Sequence, residues 1–204
     1  MLNRKSGHDT RGDILKRSRA LFAQRGFEAV SMRDIADDVG IRPSSIYNHF
    51  PGKHALLGAL MDAHMQRVLA EMTQALENVS DPADRLETFA RQHLLIHLDY
   101  RDDVFLAYYE MRSLDGATKA HILSQRDAYE DLLRNILQAG AAAGVFQIGD
   151  SHVHGRAILA MLTGITVWYR EGGALPRQAV IDTYMQAVMQ GVGQNLQAPK
   201  DLKI

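Results

Sequence analysis

Apolar residues recur every three or four positions along most of the chain, and this spacing predicts helices. The clearest case is Met32, Ile35, Ala36 and Val39, which follow the i, i+3, i+4, i+7 order of one helical face. No stretch shows the strict alternation of a half-buried strand. The pattern therefore predicts an all-α protein.

The helix over residues 32–39 is flanked by signals for a second short helix. Ser31 suits the N-cap, and Gly40 follows the last apolar position, where a left-handed residue is favoured. Pro43 suits the first turn of the next helix, on which Ile46 and Phe50 share a face. Two short helices joined by a tight glycine turn form a helix-turn-helix, whose second helix can enter the major groove of DNA.

The remaining periodicity extends this prediction to the whole chain. Further helices are predicted over residues 13–25, 53–78, 82–100, 104–114, 118–143, 151–170 and 176–196. We expect mobile termini over residues 1–10 and 197–204. The predicted architecture is a three-helix head, residues 1–54, that carries the helix-turn-helix, and a six-helix body, residues 55–204.

Composition excludes several classes of site and protein. The sequence has no cysteine, so disulfides, thiolate metal sites and cysteine nucleophiles are excluded, and a reducing cytoplasm is a consistent location. The first ten residues lack the apolar core of a signal peptide, and the apolar run over residues 157–169 is too short to span a bilayer. We therefore expect a cytoplasmic protein that does not engage membranes.

Charge is distributed unevenly along the chain. Residues 1–54 hold ten basic and six acidic residues, a net charge of +4. The remainder holds thirteen basic and eighteen acidic residues, a net charge of −5. A basic head on an acidic body is typical of a DNA-binding protein, although a difference this small can also arise by chance.

The helix-turn-helix stretch also carries a family resemblance. It resembles the N-terminal DNA-binding domain of the TetR/AcrR family of transcriptional regulators. The matching positions are Ser31, Arg33-Asp34-Ile35-Ala36, Val39-Gly40-Ile41, Ile46-Tyr47, His49-Phe50, Lys53 and Leu56-Leu57. The resemblance implies a dimeric regulator that binds double-stranded operator DNA. The chain departs from the family at Arg42-Pro43-Ser44, where a Ser-Lys-Gly type of tripeptide is common, and this affects the expected operator sequence.

Roles in the head follow from side-chain chemistry and from the resemblance. Arg42 and Ser44 are the candidate base readers, and Arg42 is the stronger because a guanidinium can bind guanine in bidentate fashion. The resemblance implies that Tyr47, His49 and Lys53 hold the DNA backbone. The full predicted DNA-binding set is Ser31, Arg33, Arg42, Pro43, Ser44, Ser45, Tyr47, Asn48, His49 and Lys53.

The resemblance also implies a ligand cavity and a dimer interface in the body. The predicted ligand-binding residues are Phe89, His93, His97, Phe105, Tyr108, Tyr109, Arg112, Tyr129, Leu133, Met161 and Trp168. The predicted interface residues, on the last two helices, are Ile158, Leu162, Ile165, Tyr184, Val188, Gly191 and Val192. Each residue of the two sets also fits ordinary core packing within the chain.

The segment over residues 167–175, VWYREGGAL, gives a hint about the effector. It looks like a C-terminal signature of TetR-family regulators of fatty-acid and steroid catabolism, several of which respond to acyl-CoA thioesters. An acyl-CoA is therefore the expected effector, with a free lipophilic acid, a drug-like cation or another metabolite as alternatives. A repressor released from its operator by this effector is the expected mechanism.

Other functions have little support in the sequence. His93 and His97 have the i, i+4 spacing of helical zinc ligands, but no glutamate follows His93. A metal-responsive helical protein is thus a weaker alternative, and we expect neither a metal nor a cofactor. The nucleophile-elbow and phosphate-loop motifs are both missing, so we do not expect an enzyme.

Overall fold

The computed structural model describes residues 7–193, and in that range it contains α-helices, one 3₁₀ turn at Met111–Ser113 and no strand. The helices are α1 Gly7–Arg25, α2 Met32–Val39, α3 Pro43–Ile46, α4 Lys53–Leu76, α5 Pro82–Asp99, α6 Arg101–Tyr109, α7 Gly116–Ala142, α8 Ser151–Thr163, α9 Ile165–Trp168 and α10 Arg177–Gly193. The predicted all-α fold with an N-terminal helix-turn-helix is confirmed. None of these helices has both the length and the apolar character needed to cross a membrane.

The chain divides into two compact units. Unit 1 contains the residues up to Val68 together with Tyr100–Arg126, and unit 2 contains Leu69–Asp99 together with the residues from Asp127 onward. Helices α4 and α7 each have residues in both units. The predicted division at residues 54 and 55 follows the helix-turn-helix motif and stays a prediction.

Unit 1 is built around α1, which packs against α2 and α6, while α2 packs against α3. The side chains of Phe22 and Phe27 meet edge to face, with ring centroids 5.2 Å apart, and both are fully buried. Ile35 and Ile46 are also fully buried. The short helices of the head are therefore held by one shared apolar core, because helices of this length are unstable alone.

Unit 2 is built around α5, which packs against α8, α9 and α10. The inward face of α5 includes Leu86, Phe89 and Leu94, all fully buried. The chain turns after α7 where Phe146 is buried, and the next amide, that of Gln147, donates to the Val192 carbonyl at 2.8 Å.

Capping residues fix where several helices begin. Ser31 and Asp34 form a capping box, in which each side chain accepts a hydrogen bond from the other residue's backbone N–H. Asp81 and Asp150 accept backbone N–H groups in the first turns of α5 and α8. The Ser31 side chain and backbone N–H lower the pKa of the Asp34 carboxyl.

Some predicted helix limits were wrong. Helix α1 begins at Gly7 rather than at residue 13, so residues 7–10 belong to a helix and only residues 1–6 of the predicted mobile terminus remain outside the described chain. Helix α6 covers Arg101–Tyr109 rather than residues 104–114. It ends at Tyr109 because the Ser113 N–H donates to the Glu110 carbonyl and tightens the chain into a 3₁₀ turn. The predicted helix over 151–170 divides into α8 and α9 around Gly164. The predicted frayed end over 197–204 lies outside the described residues.

Candidate nucleic-acid interface

The turn between α2 and α3 has the tight geometry of a helix-turn-helix. Gly40 adopts φ 77°, in the left-handed region, and ends α2. The next amide, that of Ile41, donates to the Ala36 carbonyl at 2.9 Å. Arg42 is extended, at ψ 140°, and precedes Pro43 as the N-cap of α3. The N-terminus of α3 therefore follows α2 after only three residues.

Helix α3 is short and rests on very few buried side chains. Ile46 is its one buried residue, and Phe50 is buried just after it, with its N–H donating to the Ile46 carbonyl at 3.0 Å. The guanidinium of Arg11 on α1 lies over the Phe50 ring, 5.0 Å from its centroid. These contacts fix the orientation of α3 and leave its other side chains for the surface.

The structure brings the predicted DNA-binding residues together on α2, α3 and the turn after α3. Seven of the ten are exposed: Ser31, Arg33, Arg42, Pro43, Ser44, Tyr47 and Asn48. Ser45, His49 and Lys53 are partly exposed. An exposed guanidinium at the N-terminus of α3 and an exposed phenol in the following turn can reach base edges and phosphates respectively. The DNA contacts themselves stay predictions.

Lys53 has intramolecular partners. Its Nζ donates to the carbonyl oxygens of Phe27 and Glu28 at 2.9 and 3.3 Å and lies 4.3 Å from the centroid of the Phe27 ring. The Glu28 carboxylate lies 3.8 Å from the same nitrogen. Lys53 thus ties the start of α4 to the loop between α1 and α2, a role that the sequence did not indicate because its partners lie 25 and 26 positions away.

Four of the predicted ligand-binding residues form a buried cluster in unit 2. His93 Nδ1 lies 2.9 Å from the Tyr129 hydroxyl, and His93 Nε2 lies 3.2 Å from Thr163 Oγ1. The imidazole of His97 stacks on that of His93, and the Phe89 ring packs against Tyr129 at 5.3 Å. We call Phe89, His93, His97, Tyr129 and Thr163 the histidine cluster. Thr163 is the member that sequence reasoning missed, because a threonine on a helical face gives no ligand signal.

Burial strongly affects the titration of the two histidines. Desolvation lowers the pKa of His93 well below its ordinary value, and the neighbouring His97 lowers it further. Burial also lowers the pKa of His97 to about 4, although a hydrogen bond to the His93 carbonyl acts in the opposite direction. Both rings are therefore neutral at pH 7, and each can offer one donor and one acceptor.

The other predicted ligand-binding residues lie elsewhere. Phe105, Tyr108, Tyr109 and Arg112 are exposed in unit 1, where Phe105 and Tyr109 are in ring contact at 4.9 Å. Leu133 is buried in unit 2, Met161 is half-buried, and the exposed Trp168 donates its Nε1–H to the Tyr184 hydroxyl at 3.0 Å. The ligand role of all these residues stays a prediction.

An open groove of about 520 Å³ lies in unit 2, along one face of α5 and the loop before it. Its lining is mostly polar and includes Asp81, Asp84, Glu87 and Arg91. None of the predicted ligand-binding residues lines this groove. An open, polar groove differs from the enclosed apolar pocket that a lipophilic effector needs.

The predicted interface residues are mostly turned toward the interior of unit 2. The five apolar ones, Ile158, Leu162, Ile165, Val188 and Val192, are buried within the chain. Their burial follows from the helical period, because the apolar face of α8 and α10 is the face that the core uses. Tyr184 is partly exposed and Gly191 is exposed.

Another apolar surface is left on α8 and α9. Val153 and Val167 are 67% and 72% exposed. Ala157 and Ala160 lie between them and are exposed, and Gly164 is partly exposed. The spacing of four, three, four and three residues is that of one helical face, and Gly164, between α8 and α9, keeps helical dihedral angles of φ −56° and ψ −20°. We call these five residues the small-residue stripe.

No group of three or more histidine, aspartate or glutamate side chains between residues 7 and 193 has an arrangement that could hold a metal ion.

Comparisons with known proteins connect this geometry to a family. Residues 14–60 match the model of bacterial regulatory proteins of the tetR family, and residues 79–192 match the tetracyclin repressor-like C-terminal domain. The second match alone covers more than half of the chain.

The chain is also similar to individual regulators. It is 26% identical over 184 residues to the HTH-type transcriptional repressor KstR2 of Mycobacterium tuberculosis, with 89% of this chain and 92% of the relative covered. A solved structure of a tetR-family regulatory protein from Rhodococcus RHA1 is 27% identical, covers 90% and 97% of the two chains, and has a TM-score of 0.84. The structure of AibR in complex with isovaleryl coenzyme A and operator DNA is 24% identical and covers 88% and 98% of the two chains, and its TM-score of 0.83 shows a shared fold.

Proposed function

The chain belongs to the tetR family of bacterial regulatory proteins, and from this we propose that it binds its operator as a homodimer and is released by an acyl-CoA effector. It is a TetR-type DNA-binding transcriptional repressor and not an enzyme. The exposed N-terminus of α3 beside the capped α2 is the observation that carries the DNA-binding part. A cytoplasmic location, where the operator is accessible, belongs to the same proposal.

The proposed DNA interface assigns roles to six of the predicted side chains. Arg42 reads guanine in the major groove, and Ser44 contacts a neighbouring base edge. Tyr47, Asn48 and His49 hold phosphates, which fixes the register of α3 without reading sequence. Arg33 lies on α2, where its ion pair with Asp37 is long, at 4.0 Å, and solvent-exposed, so the guanidinium can exchange Asp37 for a phosphate at little cost.

The proposed homodimer uses the small-residue stripe. Alanines and glycine allow two helices to approach closely, and two largely exposed valines give the contact apolar area. The apolar residues first predicted for the interface would support this surface from within the core. Two heads would then reach successive major grooves, about 34 Å apart.

A charge placed on the stripe tests the dimer. Ala160→Glu should convert the dimer to a monomer in sedimentation velocity, because two carboxylates would be buried in the interface. Ala141→Glu, at an exposed position of α7, is the matched control and should leave the dimer unchanged. A monomeric wild-type protein, or a dimeric Ala160→Glu variant, would overturn the proposed interface.

The proposed effector site is the histidine cluster. An acyl-CoA presents an apolar chain and a thioester carbonyl, and the cluster offers aromatic surface with a phenol and a neutral imidazole. AibR, which shares the fold, has been crystallised with isovaleryl coenzyme A and operator DNA. The cluster is closely packed in this structure, so the effector would have to open it. The effector can shift the population toward a state that does not bind the operator only through its higher affinity for that state.

Effector binding is tested by thermal unfolding with isovaleryl-CoA, longer acyl-CoAs, steroid-CoAs, free CoA, the matching free acids and a lipophilic cation. A ligand at 100 times its dissociation constant adds about 2.7 kcal/mol to the free energy of unfolding. We expect stabilisation by one class of acyl-CoA, and loss of most of it in Tyr129→Phe, which removes only the hydroxyl. Stabilisation by free CoA alone, or by the cation alone, would contradict an acyl-CoA effector.

A further inference from the structure

The buried carboxylates of the described chain lie on or directly after one helix of unit 1. Asp103, in the first turn of α6, is 5% exposed, and Glu110, which follows its last residue, is 8% exposed. Seven residues are about two helical turns, so the two carboxylates lie on the same side of α6. A buried charge is costly unless it is paired or hydrogen-bonded, so the partners of these two groups are informative.

Asp103 is paired with two arginines. Its Oδ1 lies 2.9 Å from Arg19 Nε on α1, and its Oδ2 lies 3.7 Å from Arg67 Nη1 on α4. Burial raises the pKa of the Asp103 carboxyl, while the two guanidinium groups act in the opposite direction. This carboxylate joins the start of α6 to the middle of α1.

Glu110 holds the loop that precedes the helix-turn-helix. Its Oε1 accepts the Phe27 N–H at 3.2 Å, and its Oε2 accepts the Ser113 hydroxyl at 3.0 Å. Phe27 lies two residues after the end of α1, and its carbonyl accepts from Lys53 Nζ at 2.9 Å. The backbone N–H and carbonyl of Phe27 are therefore both held by charged side chains, the N–H by Glu110 just after α6 and the carbonyl by Lys53 at the start of α4.

We propose that Glu110, assisted by Asp103, is a positioning residue for DNA recognition, which fixes the loop between α1 and α2 and thereby the placement of α2 and α3. Neither carboxylate belongs to the exposed surface of α2 and α3 that faces DNA. Glu110 acts through the backbone of Phe27, in the loop that leads to α2. Asp103 acts through the side chain of Arg19 on α1. The inference rests on the DNA-binding function.

The test compares specific with non-specific DNA binding. The probe is a duplex enriched from a random-sequence library by the wild-type protein, and an unenriched duplex of equal length is the reference. Glu110→Ala should weaken binding to the enriched duplex by about tenfold and binding to the reference by less than about twofold, because base contacts need α3 accurately placed in the groove, whereas non-specific binding rests on phosphate contacts. Glu110→Gln, which keeps an oxygen for the Phe27 N–H, should recover most of the affinity. Asp102→Asn, at the exposed neighbouring position on α6, should change neither affinity.

Unfolding experiments separate positioning from simple loss of the fold. The thermal unfolding midpoint of each variant is measured. Amide hydrogen exchange is then followed over residues 27–31, where Glu110→Ala should increase the exchange rate locally. If Glu110→Ala does not fold, Ser113→Ala, which removes only the Oε2 partner, should give a smaller change in the same direction. A folded Glu110→Ala variant that binds the enriched duplex as tightly as the wild type would overturn the proposal. Failure of the wild-type protein to enrich any duplex would instead overturn the DNA-binding function, and the inference with it.

Discussion

The imidazole rings of His93 and His97 are stacked in the interior of unit 2, with centroids 3.7 Å apart and planes inclined by 14°. Two protonated rings at this distance would repel each other in a medium that solvates them poorly. The arrangement therefore requires neutral imidazoles, and the pair is a local point at which acid can weaken the fold.

Acid should destabilise the protein through these histidines. Between pH 6.5 and about 4 the unfolded chain binds more protons than the folded chain, because the pKa of His97 falls from 6.5 to about 4 on folding. The free energy of unfolding should therefore be highest above pH 6.5 and decrease as pH falls, by at most about 1.4 kcal/mol per pH unit for each histidine. Urea unfolding at a series of pH values measures this slope.

Two glutamine variants make this prediction specific. His97→Gln should reduce the slope of unfolding free energy against pH over that interval, since the side chain no longer titrates. His93→Gln, which removes the other buried ring, should reduce the slope in the same direction. An unchanged slope in His97→Gln would assign the acid sensitivity to other groups.

Arg42 and Tyr47 should contribute to DNA binding in different ways. Tyr47→Ala should weaken binding to all duplexes alike, because a phosphate contact carries no sequence information. Arg42→Ala should also relax the preference at one base pair, by about 1–3 kcal/mol of discrimination. Library selection with each variant measures both effects, and an unaltered consensus with Arg42→Ala would exclude this residue as a base reader.

Lys53 should prove important for stability as well as for DNA binding. Lys53→Met keeps the apolar stem but leaves the Phe27 and Glu28 carbonyls without their charged donor, so the free energy of unfolding should fall by roughly 1–3 kcal/mol. Lys16→Met, on the exposed face of α1, should change it by less than about 0.5 kcal/mol. Lys53→Met could instead leave the stability unchanged and reduce the salt dependence of DNA binding by about one ion. That result would indicate that Lys53 serves only as a phosphate contact.

A side chain at Gly140 should destabilise the fold. A Cβ on this helical residue would overlap the Cδ2 and Cε2 atoms of the buried Phe146 ring. Gly140→Ala should therefore lower the free energy of unfolding by about 1–3 kcal/mol. Gly12→Ala, in α1 with no atom near the added Cβ, should raise it by up to about 1 kcal/mol, as expected for alanine in a helix. Equal effects of the two substitutions would show that the ring moves aside freely.

The sequence predicted those features whose signals are local. Ser31, Gly40 and Pro43 marked the helix-turn-helix correctly because caps and turns depend on residues a few positions apart. The hydrogen bond from Phe27 to Glu110 spans 83 positions, and no periodicity reports such a pairing. Periodicity identifies the apolar face of α8 and α10 but assigns no partner to it, so the predicted interface stays a prediction. The core of unit 2 covers that face, as the burial of Leu162 and Val188 illustrates.

Helix α3 contains four residues and buries only Ile46. Its packing within the protein and its chemistry toward DNA are thus carried by different side chains. Substitutions at the exposed positions 42, 44 and 47 should cost little folding free energy, whereas the cap, the turn glycine and Ile46 have to be kept. Descendants of this chain could therefore acquire new target sequences through a few surface changes, and a designer could retarget the repressor without rebuilding its scaffold.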